Sequence, residues 1–281
     1  MNLKKTIIIG LAVMAVFSSF GCGDSGKQGS SSSSASVSTQ QKKPLDEATI
    51  KALLKKMESS NIAEKKEACP VEKMAGYRLL KTPLMEPGVK IQDYYNQTFT
   101  FSNLSISEIK QDGDFASARL SYTTNDKKSY NGVYHFVRMN GKWCIDSTDI
   151  KIAKPLNVSG YDTSQLDVAA NIGYSYENDI IIAFAVRSKT TTNYTLGQWS
   201  QPSYVLITDK GEFPVQNTES MSGPTGFFQI TSAQPISLYI PFKGAAGKPM
   251  ALRITGFNEM DSQGFPVGNN TAQVVTFTLS E

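Results

Sequence analysis

Residues 115–146 read FASARLSYTTNDKKSYNGVYHFVRMNGKWCID, and this stretch decides the fold. Ala116, Ala118, Leu120 and Tyr122 alternate with Ser117, Arg119 and Ser121. Alternation of period two puts the first set on one face of a strand and the second on the other. Asn140-Gly141 sits between two β-rich runs and predicts a type I′ turn, which needs positive φ at both central residues. Asp112-Gly113 and Asn125-Asp126 punctuate the chain in the same way. Strands over 98–110, 115–124, 129–139 and 142–152 therefore form an antiparallel meander with one buried face.

Helices must cover that face, and the preceding residues supply them. Ile50, Leu53, Leu54 and Met57 fall at i, i+3, i+4 and i+7, one apolar stripe on a helix. Asp46 and Glu47 occupy its first turn and Lys55 and Lys56 its last, as the helix dipole favours. An amphipathic helix on a membrane surface competes with the core-facing reading. A second, less regular helical stretch is expected over 63–82, with Pro70 near a helix start. The expected first domain is thus an α+β roll over 44–155, helices on a four-stranded antiparallel meander.

The meander resembles the C-terminal half of the nuclear transport factor 2-like superfamily, especially small bacterial lipoprotein members. Gly113, Asp114, Ala116, Ala118, Gly141, Lys142, Trp143 and Ile145 carry the resemblance over about 60 residues. It implies a curved sheet wrapped into a cone that holds a small apolar ligand or an active site. Candidate polar residues for such a cone are Asp93, Tyr94, Tyr122, Tyr134, His135 and Asp146. No spacing among them demonstrates a positioned acid and base, and His135 reads as a half-exposed strand side chain beside Tyr134 and Phe136.

After Pro155 helical periodicity stops. Short β-rich runs over 166–176, 179–187, 203–208, 212–216, 227–231, 235–242, 249–257 and 271–279 are separated by Gly, Pro, Asn and Asp. An all-β sandwich over 156–281 is expected, with the nearly continuous apolar run Ile180–Val186 as a central strand. The layout resembles the immunoglobulin-like domains of bacterial surface lipoproteins, although the Cys-Trp-Cys signature is missing. Trp199 and Tyr194, in the polar loop KTTTNYTLGQWSQP (189–202), are candidate partner contacts. The competing reading makes Trp199 a plug for the sandwich end.

The N-terminus carries an address. Lys4 and Lys5 precede the uncharged apolar run Ile7–Phe17, a signal-peptide h-region too short to span a bilayer, which takes roughly 20 helical residues. Ser19-Phe20-Gly21-Cys22 follows and resembles a bacterial lipoprotein box, with Ser19 in place of the usual leucine. The resemblance implies acylation of Cys22 and cleavage before it, so 1–21 is a signal peptide. Ordinary cleavage after Gly21 competes with this. Residues 22–43 hold the lipidated cysteine and a Ser-rich linker whose composition predicts a reach on the order of 25 Å. Lipidation of Cys22 leaves Cys69 and Cys144 as an even pair, and an exported location permits a disulfide between them. Two separate buried thiols are the alternative.

The 281 residues are 40% hydrophobic and 19% charged, which excludes wholesale disorder. With 28 Lys+Arg against 25 Asp+Glu, a dedicated nucleic-acid binder is not expected. One histidine and three cysteines leave little for a metal, and no phosphate loop, HExxH, GxSxG or calcium-loop motif occurs. No cofactor is expected. The residues point to a lipid-anchored protein of the bacterial cell envelope, facing the periplasm or exterior. Its expected role is noncatalytic, binding or assembling with an envelope protein or glycan. The alternative is a small apolar ligand carrier or steroid-isomerase-like enzyme using the cone.

Overall fold

The computed structural model describes residues 43–81, 84, 91–160, 164–196, 204–216, 228–263, 267 and 274–281. Its contacts divide into two compact units. One is built from residues 43–70 and 92–146, the other from 71–91 and 147–281.

The meander unit holds strands β1 (Ser102–Asp112), β2 (Phe115–Thr123), β3 (Ser129–Met139) and β4 (Lys142–Asp146), paired in chain order. Along β2, Ala116, Ala118, Leu120 and Tyr122 are buried and their neighbours are not. Asn140 and Gly141 take φ of 50° and 79°, the two positive angles that the hairpin requires. Helix α1 (Glu47–Glu58) buries Ile50, Leu53, Leu54 and Met57, so its stripe faces the core. Helix α2 (Ile62–Ala68) stops at Cys69, before Pro70, which cannot continue a helix hydrogen-bond ladder. Buried Lys65 of α2 donates its ammonium to the carbonyls of Tyr95 and Gln97.

Asp46 caps α1, its carboxylate accepting from the Thr49 amide at 2.7 Å. The Thr49 hydroxyl, then that amide, then Lys43 hold the Asp46 carboxyl down at about 2. A carboxyl whose pKa is lowered on folding contributes stability above its unfolded value and loses it as pH falls through the folded one. Fraying of the first turn of α1 is therefore expected between about pH 4 and pH 2. A titration of the Thr49 amide shift checks this, and a midpoint at the ordinary 3.8 would overturn it.

The expected architecture fails. The described chain is mostly strand, 52% against 16% helix, and its largest element is one curled eight-stranded sheet. An α+β roll followed by a β-sandwich is not what forms. The strands are β5 (Ile150–Ser159), β6 (Leu166–Ser175), β7 (Ile180–Ser188), β8 (Tyr194–Leu196), β9 (Tyr204–Thr208), β10 (Gly211–Pro214), β11 (Phe228–Ile230), β12 (Ile236–Phe242), β13 (Pro249–Thr255), β14 (Asn258–Glu259) and β15 (Val274–Ser280). The large sheet runs β10-β9-β13-β15-β5-β6-β7-β12, and β11-β8-β14 form a separate three-stranded sheet.

Strand β5 is the reason that one sheet replaces two. It pairs with β6 along Ile150–Leu156 and with β15 along Asn157–Ser159, so it links two strand sets at a stagger. It also runs straight through Pro155. The concave face closes on itself: Phe184 of β7 meets Phe277 of β15 at 5.1 Å between ring centres, although two strands separate them in the sheet.

Every residue from Ile180 to Val186 is buried. Ile180, Ile182, Phe184 and Val186 enter the concave core. Ile181, Ala183 and Ala185 point the other way and are covered by Ala75 and Leu79 of helix α3 (Ala75–Leu80). Glycine makes that docking close: a Cβ on Gly173 would stand 2.9 Å from Leu79 Cδ2, and one on Gly76 2.4 Å from Thr148 Cγ2. Asn171 of β6 completes the seat, its side-chain amide donating to the carbonyls of Arg78, Leu79 and Lys81 at 2.9–3.0 Å. These are carbonyls that a helix C-terminus leaves without internal partners.

Candidate functional site

A group of polar aromatics lies on the covered face of the meander. Alternation along β2 and β3 places Tyr122 and Tyr134 there, and their hydroxyls meet at 2.7 Å. Tyr130 follows the same period two steps before Tyr134 and packs against both rings. Phe101 closes on Tyr122 at 4.9 Å. Helix α4 (Ile91–Tyr95) contributes Tyr94, whose hydroxyl is 3.4 Å from Cys69 Sγ, and Tyr95, whose hydroxyl donates to the Cys69 carbonyl at 2.7 Å.

The electrostatics of this group are those of neutral phenols. Burial, then the neighbouring Tyr122 hydroxyl, pushes Tyr134 far above the ordinary phenol range. Burial also raises Tyr122, against the opposing effect of its bond to Tyr134. Tyr94 is pushed well up by burial, then by Cys69. A hydroxyl held protonated in this way can donate or accept a hydrogen bond, and it is a poor base near neutrality.

Of the six sequence candidates in this unit, Tyr94, Tyr122 and Tyr134 share this cluster. Asp93 is exposed on α4. His135 follows Tyr134 in β3, so it points to the opposite face, where its register partners are Ser117 and Asp146. Asp146 is buried there.

The expected disulfide is not found. Cys69 and Cys144 are both buried, and the two do not stand at disulfide distance. Each sulfur has its own local neighbour, Tyr94 Oη for Cys69 and the Glu67 carbonyl at 3.8 Å for Cys144. An even count of exported cysteines permits a bridge and does not impose one.

Of the partner candidates, Tyr194 lies in β8 rather than an exposed loop. It is buried and stacks on Phe257 at 5.3 Å. Trp199 and Cys22 lie outside the described residues. Among the described residues no group of His, Cys, Asp and Glu could hold a metal ion, and no helix is long and apolar enough to cross a membrane.

Two residues that position these elements went unremarked in the sequence, Lys65 and Asn171. Asn171 had a legible signal, a lone amide in the strand LDVAANIGYS where apolar side chains dominate. Lys65 had none, since lysines are common on exposed helix faces.

Removing one hydroxyl of the tyrosine pair strands the other in the core. Tyr122→Phe or Tyr134→Phe is expected to cost about 1–3 kcal/mol, and the double variant less than the sum of the two. Urea unfolding of the three variants checks this, and simple additivity would overturn the pairing.

A scan against protein-family models finds no match, and comparisons with curated proteins and with solved structures find none either. They lend no support to the nuclear transport factor 2-like and immunoglobulin-like resemblances.

Proposed function

We propose that this chain is a lipid-anchored protein of the bacterial cell envelope that acts as a noncatalytic binding or assembly module. One observation carries the reading. A basic pair, the short apolar run Ile7–Phe17 and Cys22 are followed by a Ser-rich stretch. Two or three acyl chains on Cys22 would anchor such a body stably, where a single chain would not. Within the meander the tyrosine cluster favours a packing role over a carrier or an enzyme, because Tyr122 and Tyr134 direct their hydroxyls at each other. The partner in this reading is an envelope protein or glycan.

Fractionation of cells tests the anchor. The native chain is expected in the membrane fraction and Cys22→Ala in the soluble one. Retention of Cys22→Ala in the membrane fraction would overturn the reading.

A further inference from the structure

The route from the anchor into the meander unit ends at a built attachment point. The Lys43 carbonyl accepts from two side chains, the Arg138 guanidinium at 2.7 Å and the Trp143 indole N–H at 3.1 Å. Arg138 lies over the Trp143 ring at 4.4 Å, and its side chain is only 3% exposed. Two residues on, the Leu45 amide donates to Gln111 Oε1 at 3.1 Å, and the Leu45 side chain is buried. Arg138 is tied in turn to Asp114, through its own amide to the Asp114 carbonyl at 2.7 Å and through its guanidinium to the carboxylate at 3.5 Å. Residues 43–45 are thereby strapped across one end of the sheet, the end that carries the Asp112-Gly113 and Asn140-Gly141 turns.

The opposite end of the same sheet carries the turn between β2 and β3, with Lys127 and Lys128. Strand β2 separates the two ends by about 26 Å at roughly 3.3 Å per residue. About twenty residues lie between Cys22 and the strap, and their composition predicts a reach on the order of 25 Å. The far end is therefore displaced from the attachment point by as much as the tether itself spans.

We infer that the Arg138–Trp143 clamp on Lys43 makes this end of the meander unit its membrane-proximal face, with the phospholipid headgroup surface as its neighbour. The inference rests on the lipid-anchor reading. Charge is not what sets the approach, since Asp112 and Asp114 share this end with Lys43 and Lys142. The tether and its clamp set it. Without the clamp, the hold on Lys43 is lost and Leu45 becomes the first tied residue, so the sheet gains freedom to turn.

Lysines already stand at both ends, which permits a test on the native chain. The full-length lipidated protein is inserted into vesicles of phosphatidylethanolamine and phosphatidylglycerol and treated with a short amine-to-amine cross-linker. Mass spectrometry then reads which lysines carry phosphatidylethanolamine. Lys43 and Lys142 are expected to carry it several-fold more often than Lys127 and Lys128. Trp143→Phe keeps an aromatic ring and removes the indole donor, and with Arg138→Met it should lower that ratio. Equal labelling at the two ends of the native chain would overturn the inference and leave the anchor standing. A native ratio unchanged in the double variant would overturn the role of the clamp. Absence of acyl chains from the Cys22 peptide of the native chain in the same mass spectra would overturn the anchor reading itself.

Discussion

Asn171→Asp is expected to destabilise the large-sheet unit by about 3–5 kcal/mol near neutral pH, the range for a buried charge left without a partner. The Asn171 side chain is buried and donates to the carbonyls of Arg78, Leu79 and Lys81. A carboxylate there offers three carbonyl oxygens a negative charge and no proton. Protonation restores one donor, so the introduced acid should have a raised pKa in the folded state. A group with a raised folded pKa binds more protons folded than unfolded, so stability should recover as pH falls. Asn171→Leu removes the donors without adding charge and should cost about 1–3 kcal/mol, the penalty for leaving buried acceptors unsatisfied. Urea unfolding across pH, with amide exchange along α3, measures both variants. A loss under about 1 kcal/mol for Asn171→Asp would show that the three contacts do not hold α3 in place.

Phe184→Ala should have an effect of similar size, about 3–5 kcal/mol, through a different mechanism. Phe184 is fully buried in β7 and its ring meets that of Phe277 across the interior of the curled sheet. Truncation removes the transfer energy of the ring and leaves a cavity bounded by strands from both halves of the sheet. Those strands are hydrogen-bonded in order through β15, β5 and β6, which limits their collapse into the void. Phe184→Leu should recover a large part of the loss by refilling volume. Chemical denaturation of both variants checks this. Equal stability of Phe184→Ala and the native chain would mean that the concave face is not the core. Phe277→Ala should couple with Phe184→Ala rather than add to it, since the two rings share one contact.

Legibility followed sequence distance. The β3–β4 hairpin was readable because Asn140-Gly141 can supply two positive φ angles from the two residues themselves. The α1 stripe and the β2 alternation were readable because a periodic pattern records which face is buried. Tyr122 and Tyr134 could be named as candidates by type, but the register sets Tyr122 opposite Tyr130 and Tyr134 opposite Ala118, so their mutual hydrogen bond depends on how the rings reach along the shared face. The disulfide expectation failed because a cysteine count contains no distances.

What the sequence determined by itself is local: the one-faced strand β2, the turn between Asn140 and Gly141, the capped amphipathic helix α1, and the apolar run Ile180–Val186 as a fully buried strand. What only the tertiary structure decided is the identity of the covering partners. A continuous apolar strand declares that both faces are buried, and it cannot say that α3, roughly a hundred residues earlier, covers one of them. Asn171 is costly in a core until the carbonyl ends of α3 arrive to accept its protons. The pairing of β5 with β6 on one edge and β15 on the other turns the expected two-layer sandwich into one curled sheet. Periodicity is a property of neighbouring residues, whereas burial is a free energy shared between segments that chain closure brings together.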